Sequence, residues 1–373
     1  MSVLRSRFVR DDLRTAAVPW VVARVLVVAS LLGARHIFDE LGVGRRPVQL
    51  DQGLFAWDAA FYRAIAEHGY DALPNAALRF FPLVPLAGRG LGFVLLGNTA
   101  LALLVIANLS ALAFGALLHR LTLRETGDRG AAVRAAWFAA LLPAAQTLVM
   151  GYADATALAL AVGVFLALRD QRWGTAGALA LAAGLTRPIG VLLAVPALVE
   201  VLRHRHGVDL RGWARRAVAV LGAPVGLLAY LAWVGATRDD PWLPFSVQQR
   251  DSLRGDFVDP VSRLVEAASD LLRGDRFGSG LHGLWAIAFV ALLVVVARRL
   301  PASYTAFVAV TLAVGLSAEN LDSFERYALG AFPLLMGLAL VTGRSQVERL
   351  SITVLAGGLV GYSFLVFFGV SVP

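Results

Sequence analysis

The sequence contains no cysteine and no lysine. The absence of cysteine excludes disulfides, thiolate nucleophiles and Cys-ligated zinc or iron–sulfur centres. Charged residues are also scarce, at 16% of the 373 residues. Any chemistry therefore relies on a small number of carboxylates, arginines, histidines and hydroxyl groups.

The sequence is predominantly apolar. Hydrophobic residues make up 58% of the chain and the mean hydropathy is +0.69, whereas a soluble domain has about 45–50% apolar residues. Long runs of Leu, Val and Ala, interspersed with 36 Gly, are typical of a bundle of membrane helices and exclude soluble, disordered and fibrous classes. All 34 basic residues are Arg, and they cluster between the apolar runs. That distribution indicates membrane topology rather than nucleic-acid binding.

The apolar runs predict an all-α polytopic membrane protein with about eleven spans, treated as a single integral-membrane domain over 1–373. The predicted spans are 17–34, 91–118, 133–150, 154–168, 174–186, 188–202, 214–235, 281–297, 301–317, 327–342 and 350–370. The segments 174–186 and 188–202 are short and meet at Arg187-Pro188, so one broken helix is the alternative. Gly222–Gly226 and Gly357–Gly361 match the small-x-x-x-small pattern of helix packing, although coincidence is common in a Gly-rich chain.

The distribution of Arg predicts the orientation in the cell membrane. Counting 174–186 and 188–202 as two spans keeps the Arg-rich cluster 203–216 on the cytoplasmic side, together with the N-terminus. The first apolar run is then an uncleaved span. Two large extracytoplasmic segments follow, 35–90 and 236–280, and function is expected on that face. The second segment contains Asp259-Pro260 ahead of apolar residues at helical spacing, which predicts a helix lying on the bilayer surface.

The first outer segment begins its own helix at Trp57-Asp58. Asp58 is interpreted either as an N-cap or as a functional carboxylate at the membrane surface. The neighbouring Trp57 and Tyr62 could stack on a sugar or could serve only as interfacial anchors.

Several motifs in order resemble those of PIG-V-type mannosyltransferases, which belong to the GT-C superfamily. The motif that begins at Trp57 is the most specific of them. The motifs are Trp57-Asp58 with Tyr62 and Gly69-Tyr70, Phe80-Phe81-Pro82-Leu83, Gly151-Tyr152-Ala153-Asp154, Thr186-Arg187-Pro188-Ile189-Gly190, Pro241 to Gln248, and Arg326-Tyr327 with Phe332-Pro333-Leu334.

This resemblance implies a GT-C-like bundle that transfers a sugar, expected to be mannose, from a polyprenyl-phosphate donor to an acceptor hydroxyl with inversion. Asp58 is the implied catalytic base, and Arg187 and Arg326 are the implied ligands of the donor phosphate. The residues implied in sugar or acceptor binding are Trp57, Tyr62, Asp154, Gln248 and Tyr327. The alternative for each Arg is snorkelling or pairing with a nearby acid such as Glu325.

The sequence leaves several alternatives open. The acceptor could be a glycan, a lipid or a protein. Glu319, Asn320, Asp322 and Glu325 could hold sugar hydroxyls or a divalent cation, or simply form a solvated loop, and no cofactor is specified. The main rival function is a transporter or flippase of a lipid-linked or anionic substrate.

Overall fold

The computed structural model describes residues 2–42, 44–250, 253–274 and 279–373, without the side chains of residues 2–9 and 279–281. Regular structure in these residues is helical, apart from one isolated bridge between Phe257 and Ala318. The α-helices are α1 (Ser2–Leu41), α2 (Val48–Gln52), α3 (Asp58–His68), α4 (Leu83–Val94), α5 (Thr99–Thr126), α6 (Arg129–Leu141), α7 (Asp154–Arg169), α8 (Trp173–Gly184), α9 (Ala194–Arg203), α10 (Leu210–Arg238), α11 (Leu243–Gln248), α12 (Pro260–Arg273), α13 (Ser279–Arg299), α14 (Ala302–Leu316), α15 (Phe324–Leu329), α16 (Pro333–Val341) and α17 (Ser345–Phe367). Short 3₁₀ helices cover Gly53–Phe55, Asn75–Arg79, Pro143–Leu148 and Pro188–Leu193.

The helices confirm the predicted all-α polytopic membrane fold. Within the described residues, five helical segments are long and apolar enough to cross a bilayer, and two apolar helices are shorter. The five are Arg10–Leu41, Thr99–Thr126, Leu210–Arg238, His282–Arg299 and Ser345–Phe367, and the shorter two are Leu83–Val94 and Ala302–Leu316. The count of about eleven spans stays a prediction.

The prediction of one continuous span over 91–118 was wrong. The chain turns between α4 and α5, where Leu96 and Gly97 both have positive φ, at 56° and 86°. Asn98 then caps α5 by accepting a hydrogen bond from the backbone N–H of Leu101 at 2.9 Å. Apolar residues continue through this turn, so hydropathy alone could not detect it.

The two short segments 174–186 and 188–202 are broken at Arg187-Pro188, as both alternatives predict, and their assignment as two spans stays a prediction. α8 ends at Gly184, and Arg187 is extended with φ −155° and ψ 149°. Pro188 begins a 3₁₀ helix that leads into α9. Because proline lacks a backbone N–H, it starts a new helical segment more readily than it continues an old one.

The chain groups into two compact units. Unit 1 comprises Met1–Glu67, Ala87–Ala159 and Leu338–Pro373, and unit 2 comprises His68–Leu86 and Leu160–Gly337. Helix α1 of unit 1 packs against α5, α6 and α17, whereas α10 of unit 2 packs against α8 and α9. The single-domain boundary over 1–373 stays a prediction.

Glycines allow the close approach of α8 and α10. A Cβ atom on Gly222 would lie 2.2 Å from the carbonyl oxygen of Gly177, and one on Gly226 would lie 2.3 Å from that of Leu181. The small-x-x-x-small interpretation is therefore confirmed for this pair. A Cβ on Gly357 or Gly361 would meet no atom within 4 Å among the described residues, so the second match has no such contact.

The helix predicted after Asp259-Pro260 is confirmed as α12. Asp259 caps it by accepting a hydrogen bond from the backbone N–H of Ser262 at 2.7 Å, and this bond holds the pKa of Asp259 below its ordinary value. Val261 and Leu272 are 68% and 89% exposed, whereas Ala267 is buried. An exposed apolar face fits the predicted position on the bilayer surface, which stays a prediction.

Candidate active site

The residues predicted for the site are divided between the two units. Unit 1 holds Trp57, Asp58, Tyr62 and Asp154, and unit 2 holds Arg187, Gln248, Arg326 and Tyr327.

Asp58 is the first residue of α3, and the preceding turn determines its position. Trp57 has φ 60°, in the left-handed region that a bulky residue rarely adopts. Its indole Nε1 donates a hydrogen bond to the carbonyl oxygen of Val366 at 3.0 Å, while its own carbonyl accepts from the N–H of Ala60 at 3.1 Å. Strain of this kind persists only where surrounding contacts hold it. The half-buried Asp58 therefore follows an anchored and strained turn.

Asp154 is the first residue of α7 and is 3% exposed. The turn that leads into it is bonded to the segment preceding Asp58: the N–H of Gly151 donates to the carbonyl of Leu54 at 3.0 Å. A Cβ on Gly151 would lie 2.7 Å from the ring of Phe55, so glycine allows this contact. Both carboxylates thus begin helices in neighbouring segments of unit 1, where the helix dipole stabilises negative charge.

Tyr62 lies inside unit 1, on the buried side of α3. It is 2% exposed, like the neighbouring Ile65 at 1%. This burial supports a packing role for Tyr62 rather than the predicted stacking on a sugar, whereas Trp57 remains half-buried.

In unit 2, two arginines contact one aromatic ring. The guanidinium carbon of Arg254 lies 4.4 Å from the ring centroid of Tyr327, and that of Arg187 lies 5.6 Å from it. All three side chains are half-buried. Cation–π contacts hold both guanidinium groups next to the phenol. The predicted residues Arg187 and Tyr327 are therefore together, and they are joined by an arginine that the sequence did not single out.

Hydrogen bonds fix both the backbone and the side chain of Arg254. Its N–H donates to the carbonyl of Gln248 at 3.1 Å, and its carbonyl accepts from the N–H of Asn320 at 3.0 Å. Its Nη2 donates to the carbonyls of Gly315 at 2.9 Å and Val314 at 3.3 Å, at the C-terminal end of α14. A cation in this position complements the helix dipole. Among the described residues, Nε and Nη1 of Arg254 have no hydrogen-bond acceptor, so they are available to a ligand.

The predicted Gln248 lies in the same region of unit 2. Its Oε1 accepts a hydrogen bond from Nη1 of Arg79 at 3.3 Å. Arg79 is in turn stacked over Phe80, with its guanidinium carbon 4.9 Å from the ring centroid. Hydrogen bonds thus link Arg79 to Gln248 and Gln248 to Arg254. Arg254 and Arg187 both contact the ring of Tyr327, so all of these residues lie in one region of unit 2.

Arg326 differs from its neighbours because it is only 6% exposed. It lies on α15, which begins after Ser323, another residue with positive φ at 62°. A buried guanidinium is less accessible to a donor phosphate than the half-buried Arg187 and Arg254. The role of Arg326 as a phosphate ligand stays a prediction.

The acidic cluster after α14 is internally bonded. Glu325 is 3% exposed and forms an ion pair with His282 at 2.8 Å, while Asp322 accepts a hydrogen bond from the amide of Asn320 at 3.1 Å. The contact between His282 and Asp322, together with the hydrogen bond from Asn320, holds the pKa of Asp322 below its ordinary value. Within the described ranges, no group of three His, Asp or Glu side chains is arranged to hold a metal ion. The described residues therefore provide no set of ligands for the divalent cation that the sequence left open.

Sequence patterns did not identify Arg254, Arg79 or His282. Arg254 precedes Gly255, whose φ of 66° marks a tight turn within the predicted outer segment. An Arg-Gly pair in that segment was the available signal, but the partners of Arg254 come from α14 and α15, more than fifty residues along the chain.

Comparisons with known proteins support the fold. No family model and no curated protein matches the chain. The structure of ArnT from Cupriavidus metallidurans bound to undecaprenyl phosphate is similar, with a TM-score of 0.51 at 16% identity over 88% of this chain. Archaeal oligosaccharyltransferase AglB from Archaeoglobus fulgidus, in complex with an inhibitory peptide and a dolichol-phosphate, aligns over 96% of this chain with a TM-score of 0.47 at 12% identity.

The chain spans 62% of the length of that ArnT chain and 55% of that of AglB. At these identities the likeness to ArnT shows the fold alone. It confirms the GT-C-like fold class that the sequence predicted.

Proposed function

We propose that the protein is an inverting glycosyltransferase that uses a polyprenyl-phosphate-linked sugar as donor. The observation that carries this proposal is the pair of guanidinium groups of Arg187 and Arg254 at the ring of Tyr327. Arginine is suited to a phosphate because its planar donors bind two oxygens and it stays protonated. The fold shared with ArnT, which was solved with undecaprenyl phosphate, is consistent with such a ligand.

The proposed reaction needs one base and one stabilised leaving group. The acceptor hydroxyl oxygen attacks the anomeric carbon, and the bond from that carbon to the phosphate oxygen breaks. The hydroxyl proton passes to Asp58, and the bonding electron pair leaves with the polyprenyl phosphate. A phosphate departs as a stable anion without a general acid, and a single displacement inverts the anomeric centre.

The proposed roles follow from the surroundings of each residue. Asp58 is half-buried at a helix start, and Arg187 and Arg254 would stabilise the charge that develops on the leaving phosphate. Trp57, Asp154, Gln248 and Tyr327 are proposed to contact the sugar or the acceptor. The assignment of mannose rests on the motifs shared with PIG-V-type enzymes. An extracytoplasmic reaction and a cytoplasmic N-terminus belong to the same proposal.

The test measures label transfer by the purified full-length protein in lipid vesicles. The donor is polyprenyl-phosphate mannose labelled in the sugar, and a membrane lipid extract supplies acceptors. Asp58→Asn is expected to reduce transfer by about 10²- to 10⁴-fold, because the amide cannot accept the proton. Asp51→Asn is the matched control, since Asp51 is an exposed carboxylate of α2 in the same predicted outer segment.

Equal activity of Asp58→Asn and wild type would remove Asp58 as the base. If wild type leaves the mannose–phosphate bond intact but moves labelled donor between leaflets, the transporter alternative replaces the proposal. Transfer from a glucose donor but not from the mannose donor would correct the sugar and keep the reaction class.

A further inference from the structure

A second polar site lies in unit 2, in the final turn of α9 and at the start of α14. A cavity of about 250 Å³ opens there, lined by Val199, Glu200, Arg203, Pro301, Ala302 and Ser303. This volume is several times the ~30 Å³ that one water molecule occupies in the liquid. None of the lining residues belongs to the candidate active site, so the cavity requires its own explanation.

Glu200 lines this cavity, and one of its two carboxylate oxygens is unsatisfied. The residue is 1% exposed, and its Oε1 accepts a hydrogen bond from Oγ of Ser303 at 2.7 Å and lies 3.4 Å from Nη1 of Arg169. Its Oε2 is buried without a hydrogen-bond partner among the described residues. Nδ1 of His204 lies 3.7 Å from Oε2 and bonds instead to the Glu200 carbonyl at 2.9 Å. A buried carboxylate oxygen left unpaired is costly, so a cationic donor in the cavity would be stabilising.

The cavity also carries a positive group. Arg203 follows Glu200 by one helical turn on α9 and is exposed. It makes no hydrogen bond or ion pair with any residue that the structure describes. The lining of the cavity therefore includes a buried carboxylate, Glu200, and an exposed guanidinium, Arg203, which suits a ligand that bears both charges.

The neighbouring surface is apolar and lies at the end of a candidate membrane span. The span His282–Arg299 ends at two exposed arginines, Arg298 and Arg299, just before Pro301. Such arginines mark the membrane surface. Next to the cavity on α9, Leu198 and Leu202 are 47% and 48% exposed. Because they are four residues apart, they form one apolar strip suitable for acyl chains.

We infer that this cavity binds the head group of a phosphoethanolamine lipid. The ammonium group donates to Oε2 of Glu200, the phosphate contacts Arg203, and the acyl chains lie along Leu198 and Leu202. A choline head group has no N–H donor for Glu200, and a glycerol head group has no cation. Free phosphoethanolamine has the same polar chemistry but no acyl chains, so the apolar strip favours the lipid. The inference is independent of the proposed function.

The test measures lipid retention by native mass spectrometry of the full-length protein in detergent. Phosphatidylethanolamine, phosphatidylcholine and phosphatidylglycerol with identical acyl chains are added at equal concentration. Wild type is expected to retain the ethanolamine lipid about tenfold more than either competitor. Arg203→Gln should lower retention of all three lipids, because it takes away the phosphate contact that they share without altering a buried group. Arg205→Gln is the matched control, since Arg205 is exposed in the same segment but does not line the cavity.

Glu200→Gln provides a second variant, which should bring retention of the ethanolamine lipid down to that of the choline lipid. Equal retention of all three lipids by wild type, or stronger retention of the glycerol lipid, would overturn the inference. The same holds if Arg203→Gln retains as much of the ethanolamine lipid as wild type does. Thermal stabilisation by free phosphoethanolamine without retention of its lipid would assign the cavity to a soluble ligand and contradict the lipid source.

Discussion

The two units carry candidate-site residues of opposite charge and hold them in different ways. In unit 1, Asp58 and Asp154 each occupy the first residue of a helix, and backbone bonds anchor the turns before them. In unit 2, Arg187 and Arg254 extend from two loops to one ring. A carboxylate is short, so the backbone must bring it into position. A guanidinium lies at the end of a long side chain, so its contacts determine its position.

This difference predicts separate kinetic effects under the proposed function. A change at the turns of unit 1 should displace the base and lower kcat. A change at the guanidinium groups of unit 2 should raise the KM for the donor, because it weakens binding of the phosphate, and should also lower kcat, because these groups stabilise the leaving phosphate.

The double variant Arg187→Gln with Arg254→Gln should have the largest effect. We expect kcat/KM for the donor to fall by about 10²-fold or more, because two charge-assisted donors to the phosphate are lost. The acceptor KM should stay close to the wild-type value. Steady-state kinetics with the labelled donor in vesicles measures both constants.

Arg250→Gln is the matched control for this pair, since Arg250 is exposed in the same outer segment and makes no contact with Tyr327. If the double variant and this control had the same donor kinetics, Tyr327 and its arginines would be structural. A fall in kcat with unchanged donor KM would also contradict the separation between the units.

Two Gly→Ala substitutions, one in each unit, test how closely the helices of that unit pack. Gly222→Ala in α10 of unit 2 should lower the free energy of unfolding by about 1–3 kcal/mol, because its Cβ would lie 2.2 Å from the carbonyl oxygen of Gly177. Gly357→Ala in α17 of unit 1 meets no described atom and should raise it by up to ~1 kcal/mol, since Ala favours the helix. Denaturant unfolding in detergent, followed by tryptophan fluorescence, measures both. Equal stability of the two variants would contradict close packing of α8 on α10.

The sequence predicted those features that depend on neighbours in the chain. The start of α3 at Asp58, the break at Arg187-Pro188 and the cap of α12 at Asp259 each follow from local residue preferences, and each was confirmed. The turn before Asn98 was missed because its residues, Leu95 to Gly97, are as apolar as the helices on either side.

Contacts between distant segments could not be predicted in the same way. Arg254 is a candidate site residue because it contacts Tyr327 and Gly315, which belong to two different helices. Tyr62 matched the expected motif, but the side of α3 on which it lies is buried. Motif order identified the segments of the candidate site, whereas side-chain accessibility required the three-dimensional structure.

The smallest effect is expected from Trp57→Phe, which tests the anchored turn of unit 1. Phenylalanine keeps an aromatic ring but cannot donate to the carbonyl of Val366. That carbonyl also accepts from the N–H of Gly369 at 3.2 Å, so it does not become unsatisfied. We expect the free energy of unfolding to fall by about 1 kcal/mol, the net value of one hydrogen bond. Denaturant unfolding checks this, with Trp242→Phe, a change at an exposed tryptophan of unit 2, as control.

The kinetic consequence of Trp57→Phe separates positioning from simple stability. If the indole bond maintains the left-handed turn, kcat should fall while the donor KM stays at the wild-type value, because Asp58 moves relative to the acceptor hydroxyl and the guanidinium groups do not. A rise in donor KM would mean that the turn influences the phosphate ligands as well. An unchanged kcat at reduced stability would show that the start of α3 holds Asp58 in place without the indole bond.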